Sequence, residues 1–258
     1  MRRLLSAALA LCLAVSCQAQ SQEAEPSLED VLMPAAAGSQ IISHTNYTVS
    51  YNRQLKIPNW VSWSIDPDEL KKNVSRYESN FVPDPGVRGV SVSTHDYSRS
   101  GYDRGHMCPA ADNRYDLTAM QESFYLTNVC PQKHSLNDGA WNDLEMACRY
   151  WAGVGTVYIV CGPYFKGTDR RRTFIGSNQV AVPDGFWKVV LRYYKGAWHA
   201  IGFKFPNGDA KGNFKDYAVT VDEIEKLTGY DFFSALDDET ENQAEATVTI
   251  SRWPFTPR

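Results

Sequence analysis

The chain of 258 residues lacks any apolar run long enough to cross a bilayer. The stretch from Leu4 to Val15 falls short of the roughly 20 residues a membrane helix needs, and no other segment approaches that length. A transmembrane helix in the mature protein is therefore excluded. With Arg2 and Arg3 before it and small and polar residues after it, the same run reads as a secretory signal peptide over residues 1–19. Two endings fit. Cleavage after Ala19 would release the protein, whereas cleavage before Cys17 would leave that thiol to carry a lipid anchor. Either way the chain is expected to be exported: periplasmic, extracellular or lipid-anchored at the cell surface.

Positive charge is also in short supply. Lys and Arg total 26 against 30 Asp and Glu, for a net charge of −4, which excludes polyanion binding through the overall field but not through a local one. One local candidate is the run holding Lys166, Arg170, Arg171, Arg172, Lys188, Arg192 and Lys195 against only Asp169 and Asp184; it is either a solvated loop or a phosphate track. Cysteines are few: once Cys12 and Cys17 are set aside, Cys108, Cys130, Cys148 and Cys161 remain. An even number in an exported chain favours pairing, and four cysteines allow three connectivities. There is no internal repeat, and the one biased block is the acidic, Ala- and Pro-rich leader over 20–38.

What remains is a body over 39–236, rich enough in aromatics to build a core, followed by a tail over 237–258 that begins as a solvated acidic stretch. Trp253 and Phe255 near the tail's end are candidates for docking on the body. "TVYIVCG" is a short apolar run ended by Gly162-Pro163 and reads as a buried strand. "GFWKVVLRYY" and "AWHAIGFKF" flank Lys195-Gly196 as a hairpin does. "TVDEIEKLTGYDFF" sets Val221, Ile224 and Leu227 on one helical face with Gly229 past its end. "SFYLTNVCPQ" reads as a strand stopped by Pro131. "SLNDGAWNDLEMACRYWAG" reads as one helix burying Leu136, Ala140, Leu144, Ala147 and Trp151, with Asn137 in its first turn and Gly153 as cap.

The densest chemistry lies in "SGYDRGHMCPAADN". His106, Cys108, Cys130 and His134 could in principle bind zinc, although an oxidising compartment favours disulfides over zinc thiolates. A lone "DRGH" is most often a core histidine beside a local Asp103–Arg104 ion pair. The ordered company of "LTNVCPQ" and "LNDGAWNDLE" weighs against that reading, since each polar residue then falls at a strand or helix end.

"DRGHMCPAADN", "YLTNVCPQ" and "LNDGAWNDLE" together resemble the DNA/RNA non-specific endonucleases, the secreted bacterial and mitochondrial endonuclease G group, over residues 46–234. The resemblance implies an α+β fold: a mixed, mainly antiparallel central sheet flanked by helices, with a ββα-metal finger active site. It also implies hydrolysis of DNA and RNA phosphodiesters with little sequence specificity, leaving 5′ phosphate and 3′ hydroxyl ends.

Residue by residue, His106 matches the general base, a role suited to an imidazole largely neutral at pH 7. Asn137 matches the single protein ligand of Mg2+, an ion that commonly keeps several waters; Mn2+ is the alternative ion. Glu145 matches a carboxylate that orients water around the ion. Arg104 matches the arginine that binds phosphate or offsets charge in the transition state. Asp103, Asn128 and Gln132 match supporting positions. Arg76 is a looser match to an upstream phosphate contact, and Arg170, Arg171 and Arg172 extend the candidate track for DNA and RNA.

The cysteines depart from the commoner family pattern. Because the family makes the strands bearing them antiparallel neighbours, Cys108 is expected to pair with Cys130, and Cys148 with Cys161; four buried free thiols are the alternative. Three further readings stay open: a nucleic-acid-binding surface protein without catalysis, a disulfide-braced structural protein, and a phosphodiesterase for a smaller substrate. The oligomeric state is not legible.

Overall fold

The structure, a computed structural model, describes residues 38–76, 79–167 and 172–255. In chain order the strands are β1 Ser39–Ser43, β2 Tyr47–Asn52, β3 Ile57–Ile65, β4 Asp103–His106, β5 Val129–Gln132, β6 Val157–Tyr164, β7 Thr173–Ile175, β8 Val180–Val182, β9 Gly185–Tyr194, β10 Ala197–Pro206 and β11 Ala218–Val219. The helices are α1 Leu117–Glu122, α2 His134–Asn137, α3 Ala140–Ala152, α4 Val221–Thr228 and α5 Asp238–Glu245. Seven strands form one sheet in the order β1-β2-β3-β6-β9-β10-β11, and every pairing in it is antiparallel. The family's α+β architecture, with a large antiparallel sheet and few helices, is therefore present.

Both faces of this sheet are covered, so its central strands are apolar on both sides. Along β9 the side chains alternate: Phe186 and Val190 join one core beneath α3, while Trp187, Val189 and Leu191 join a second core beneath α4. That alternation also carries Lys188 and Arg192 into the first core, 1% and 2% exposed. The β9–β10 hairpin closes through Lys195 and Gly196, both at positive φ, as a two-residue turn requires. α4 begins with a Thr220–Glu223 capping box and ends on a left-handed Gly229. It lies so close to β10 that a Cβ at Gly202 would come within 2.9 Å of Ile224.

Several elements differ from the sequence reading. β6 does not stop at Gly162-Pro163 but continues to Tyr164, paired with β9 throughout. Only Val129–Gln132 of "SFYLTNVCPQ" is strand; Leu126–Asn128 is a 3-10 turn. It is a turn because the Asn128 side chain bonds to backbone, accepting from Cys108 N–H and donating to the Cys108 and Ser123 carbonyls. The single helix expected over 136–151 is broken into α2 and α3 at Gly139, whose Cβ would meet the Ser135 carbonyl at 2.4 Å. All five of the expected core residues along it are nevertheless buried. The acidic start of the tail is not a solvated coil but α5, packed on the sheet with Ala244 and Glu245 buried. Beyond it Trp253 inserts at 4.8 Å from Trp151, Arg192 stacks over Trp253 and donates to the Arg252 carbonyl, and Phe255 packs near Tyr150.

Candidate active site

β4 and β5 pair antiparallel, with Asp103 opposite Gln132, Gly105 opposite Cys130 and His106 opposite Val129. Glycine is required at 105, since a Cβ there would lie 2.1 Å from the Gln132 side-chain oxygen. Gln132 itself is fully buried across β4, and its amide atoms meet no hydrogen-bond partner. Asn128 continues the pairing past His106 through the backbone bonds already described. Asn207 brackets the unit to the main sheet: it donates to the Pro131 and Pro183 carbonyls and accepts from Lys133 N–H.

This strand pair and α2–α3 enclose a cleft of about 580 Å³ that gathers Arg76, Asp103, Arg104, His106, Asn137 and Glu145. The His106 ring sits 5.0 Å from Phe81 and 5.1 Å edge-on from Phe124. Arg104 lies over Phe81 at 4.9 Å and Arg76 over Phe124 at 5.0 Å. The imidazole is thus held in an aromatic slot between two guanidinium groups. Its carbonyl accepts from Trp141 Nε1 at 3.3 Å, while its own Nε2 has no partner. Burial, then Arg76, then Arg104, depress its pKa to about 3, so the ring is neutral at physiological pH.

Asn137 is oriented by Asp103, whose Oδ2 accepts from Asn137 Nδ2 at 3.0 Å and lies 2.8 Å from His134 Nδ1. With the amide nitrogen engaged, Asn137 Oδ1 is left as the free donor atom. The carboxylate raises the pKa of the exposed His134 in turn.

Glu145 stands on α3. Burial pushes its pKa up to about 7, opposed by Lys188 and Arg149 and reinforced by Asp112. Lys188 Nζ lies 4.2 Å over Trp141 and 5.4 Å over Trp63. Arg149 Nη1 pairs with Asp112 Oδ1 at 2.7 Å, and Trp63 Nε1 donates to the other Asp112 oxygen at 2.9 Å.

Among the described residues the basic run does not form one track. Lys188 and Arg192 are core residues for the reason of alternation given above. Arg172 stacks over Phe165 at 4.4 Å and lines a different pocket, with Asn59 and Tyr230. Arg170 and Arg171 lie outside the described residues. The expected disulfides are absent too: all four cysteines are free and buried. Cys130 faces Gly105 across the ladder while Cys108 lies beyond the end of β4, held at its sulfur by Asn113 Nδ2 at 3.3 Å. Burial raises all four thiol pKa values. His106, Cys108, Cys130 and His134 do not converge as a metal-binding group.

Sequence reasoning missed Phe81 and Asn142 on the cleft wall, Phe124 against the His106 ring, Asn207 behind β5 and the burial of Lys188.

A strand pair feeding a helix, set beside a large antiparallel sheet and presenting histidine, asparagine and glutamate to one cleft, is the arrangement of a ββα-metal finger protein. The chain belongs to the DNA/RNA non-specific endonuclease family, whose sequence profile matches residues 27–239. It is 34% identical to the mitochondrial nuclease EXOG of Danio rerio over 217 residues, 79% of this chain and 63% of that protein. It is 35% identical to Nuclease C1 of Cunninghamella echinulata, covering 88% of this chain and 96% of that one, and 32% identical to human mitochondrial Endonuclease G, covering 74% and 68%. Among solved structures, a chain of the EndoG/EndoGI complex superposes with a TM-score of 0.74 at 29% identity, covering 84% of this chain and 96% of that one. The chain thus spans somewhat less than two thirds of the EXOG relative it matches. No helix among the described residues is long and apolar enough to cross a membrane.

Proposed function

We propose that this protein is an exported, metal-dependent endonuclease that hydrolyses phosphodiester bonds of DNA and RNA with little sequence preference. The observation that carries this reading is the pairing, in one cleft, of a neutral His106 whose Nε2 is uncommitted with an Asn137 whose oxygen Asp103 has left free. His106 takes the proton from the attacking water. Arg104 and Arg76, flanking that ring, bind the phosphate; as they do so their charge is offset, and the proton affinity of His106 rises in the complex. Glu145 orients water near Asn137. Contacts of this kind reach phosphate rather than base edges, so sequence is not read.

The donor set suits a hard cation: a neutral amide oxygen with a carboxylate on the next helix and no thiolate in the cleft. Mg2+, or Mn2+ in its place, would be held through Asn137 and would supply positive charge to the phosphate oxygens. Asn128 and Gln132 act through the strand pair. Residues 1–19 are read as the signal, 20–38 as a leader, 39–236 as the nuclease body and 237–258 as a tail. Intact-mass measurement of the mature protein distinguishes release after Ala19 from lipidation at Cys17.

The test is cleavage of supercoiled plasmid and of single-stranded RNA in Mg2+ and in chelator. Both substrates are expected to be cut in Mg2+ only, and His106→Ala should lose on the order of 10² to 10⁴ in rate. Near-normal turnover by that variant, or cleavage in chelator, would overturn the assignment. Cleavage of a small diester but of neither polymer would instead favour the phosphodiesterase reading.

A further inference from the structure

On the face of the sheet opposite the cleft, α4 presents Asp222 and Glu225, and α5 ends on Glu245. One oxygen from each lies within 4.8 Å of the other two. Oxygens bound to one Ca2+ at 2.3–2.6 Å are at most about 5 Å apart, so the spacing is that of a shared ion. A second observation points to the same place: Glu245 is 5% exposed, and its Oε1 meets no hydrogen-bond partner. Glu241, one turn earlier on α5, also has a buried Oε1 without a partner. No lysine, arginine or histidine forms an ion pair with any of these carboxylates among the described residues.

A buried carboxylate in such surroundings must be neutralised, by a proton or by a cation. We propose that Asp222, Glu225 and Glu245 bind Ca2+. Glu225 accepts from Phe232 N–H through Oε1 at 2.9 Å, which fixes its rotamer and leaves Oε2 for the ion. Glu245 is the last residue of α5, where the helix carbonyls also favour a cation. Calcium accepts irregular sets of six to eight oxygens, including waters, whereas magnesium demands near-ideal octahedral geometry. The ion clips α5, and with it the segment leading to Trp253, onto α4. Asp222 and Glu225 lie within the family match and Glu245 beyond its end at residue 239; none of the three lines the cleft, so the clip does not depend on the proposed nuclease activity.

The experiment is thermal unfolding of the full mature chain carrying Asn137→Ala, which removes the cleft's own cation ligand, in about 1 mM Ca2+ and in chelator. Tb3+ luminescence excited through the aromatic residues is titrated in parallel. Calcium is expected to raise Tm by about 3–8 °C, and Tb3+ to saturate one to one and be displaced by Ca2+. Adding Glu245→Gln should abolish both effects. If that variant does not fold, Asp222→Asn, on a partly exposed residue, decides in its place. Identical Tm with and without Ca2+, stabilisation by Mg2+ equal to that by Ca2+, or Tb3+ binding unchanged by Glu245→Gln or Asp222→Asn would overturn the proposal.

Discussion

Both faces of the central sheet bury carboxylates, and they neutralise them differently. Beneath α3, Asp112 is paired with Arg149 and accepts from Trp63, and Glu145 lies in the field of Lys188; at the cleft the partly exposed Asp103 of β4 is shared between Asn137 and His134. Beneath α4 and α5, Glu245 is surrounded by Glu225, Glu241, Asp222 and Asp231, with burial the largest cause of its raised pKa and each of those carboxylates adding to it. On the first face the protein's own cations keep the Glu145 carboxylate near the point of ionising. On the second face no cation among the described residues pairs with these carboxylates, and the balancing proton or cation comes from solvent. Internal compensation holds a group in a set state, whereas external compensation makes stability depend on what is bound.

Of the changes that would break this contrast, Asp103→Ala has the largest expected effect. It releases the Asn137 amide, and plasmid cleavage should fall by about 10- to 100-fold, with more Mg2+ needed for half-maximal rate. An unchanged Mg2+ requirement would mean that Asn137 is oriented by something else. Lys188→Met removes the cation beneath Glu145 while conserving apolar volume beside Trp141. Activity at pH 7 should drop on the order of 10-fold, with little loss of stability. The sign of its pH effect is fixed. Burial raises the Glu145 pKa to about 7 even against the opposing pull of Lys188, so losing Lys188 raises it further and moves the acid limb of kcat/KM to higher pH. A profile that stays in place would remove Lys188 from the site's electrostatics.

The mirror-image change sharpens the comparison from the other side. Glu241→Lys supplies the cation that the α4–α5 face lacks; it should raise Tm in chelator by about 2–4 °C and diminish the gain from added Ca2+. A lower Tm in chelator would show that carboxylate repulsion is not what limits that face. The smallest effect concerns the thiols. Because Cys108, Cys130, Cys148 and Cys161 are buried with raised pKa values, iodoacetamide should label none of them in the native protein and reductant should leave both Tm and cleavage unchanged. Loss of activity on reduction would count against four free thiols.

Much of the cleft was legible because it is assembled from short-range units. "DRGH" is a single strand, and "LNDGAWNDLE" spans two consecutive helices, so the order of the motifs, with the family resemblance they carry, predicted that Asp103, Arg104, His106, Asn137 and Glu145 would meet. The break at Gly139 escaped the 3.6-residue periodicity because the buried face stays in phase across it, with Leu136 and Ala140 both inside. The expected disulfide failed on register: Cys130 lies opposite Gly105, and Cys108 comes three residues later, past the strand's end.

The hydrophobic and polar pattern along the chain thus determined by itself the hairpin of β9 and β10 and the capped helix α4, since each depends on residues near one another in sequence, while the groups in the cleft were named by the resemblance of their motifs to the family. Only the tertiary structure decided that Lys188 and Arg192 are core residues rather than a nucleic-acid track, that Phe81 and Phe124 hold the His106 ring, and that Glu245 meets Asp222 and Glu225. Charge on a strand reads as surface until the other face of the sheet is known to be covered. A contact between two helices joined through a loop depends on how both pack against β10, a relation that no local pattern encodes.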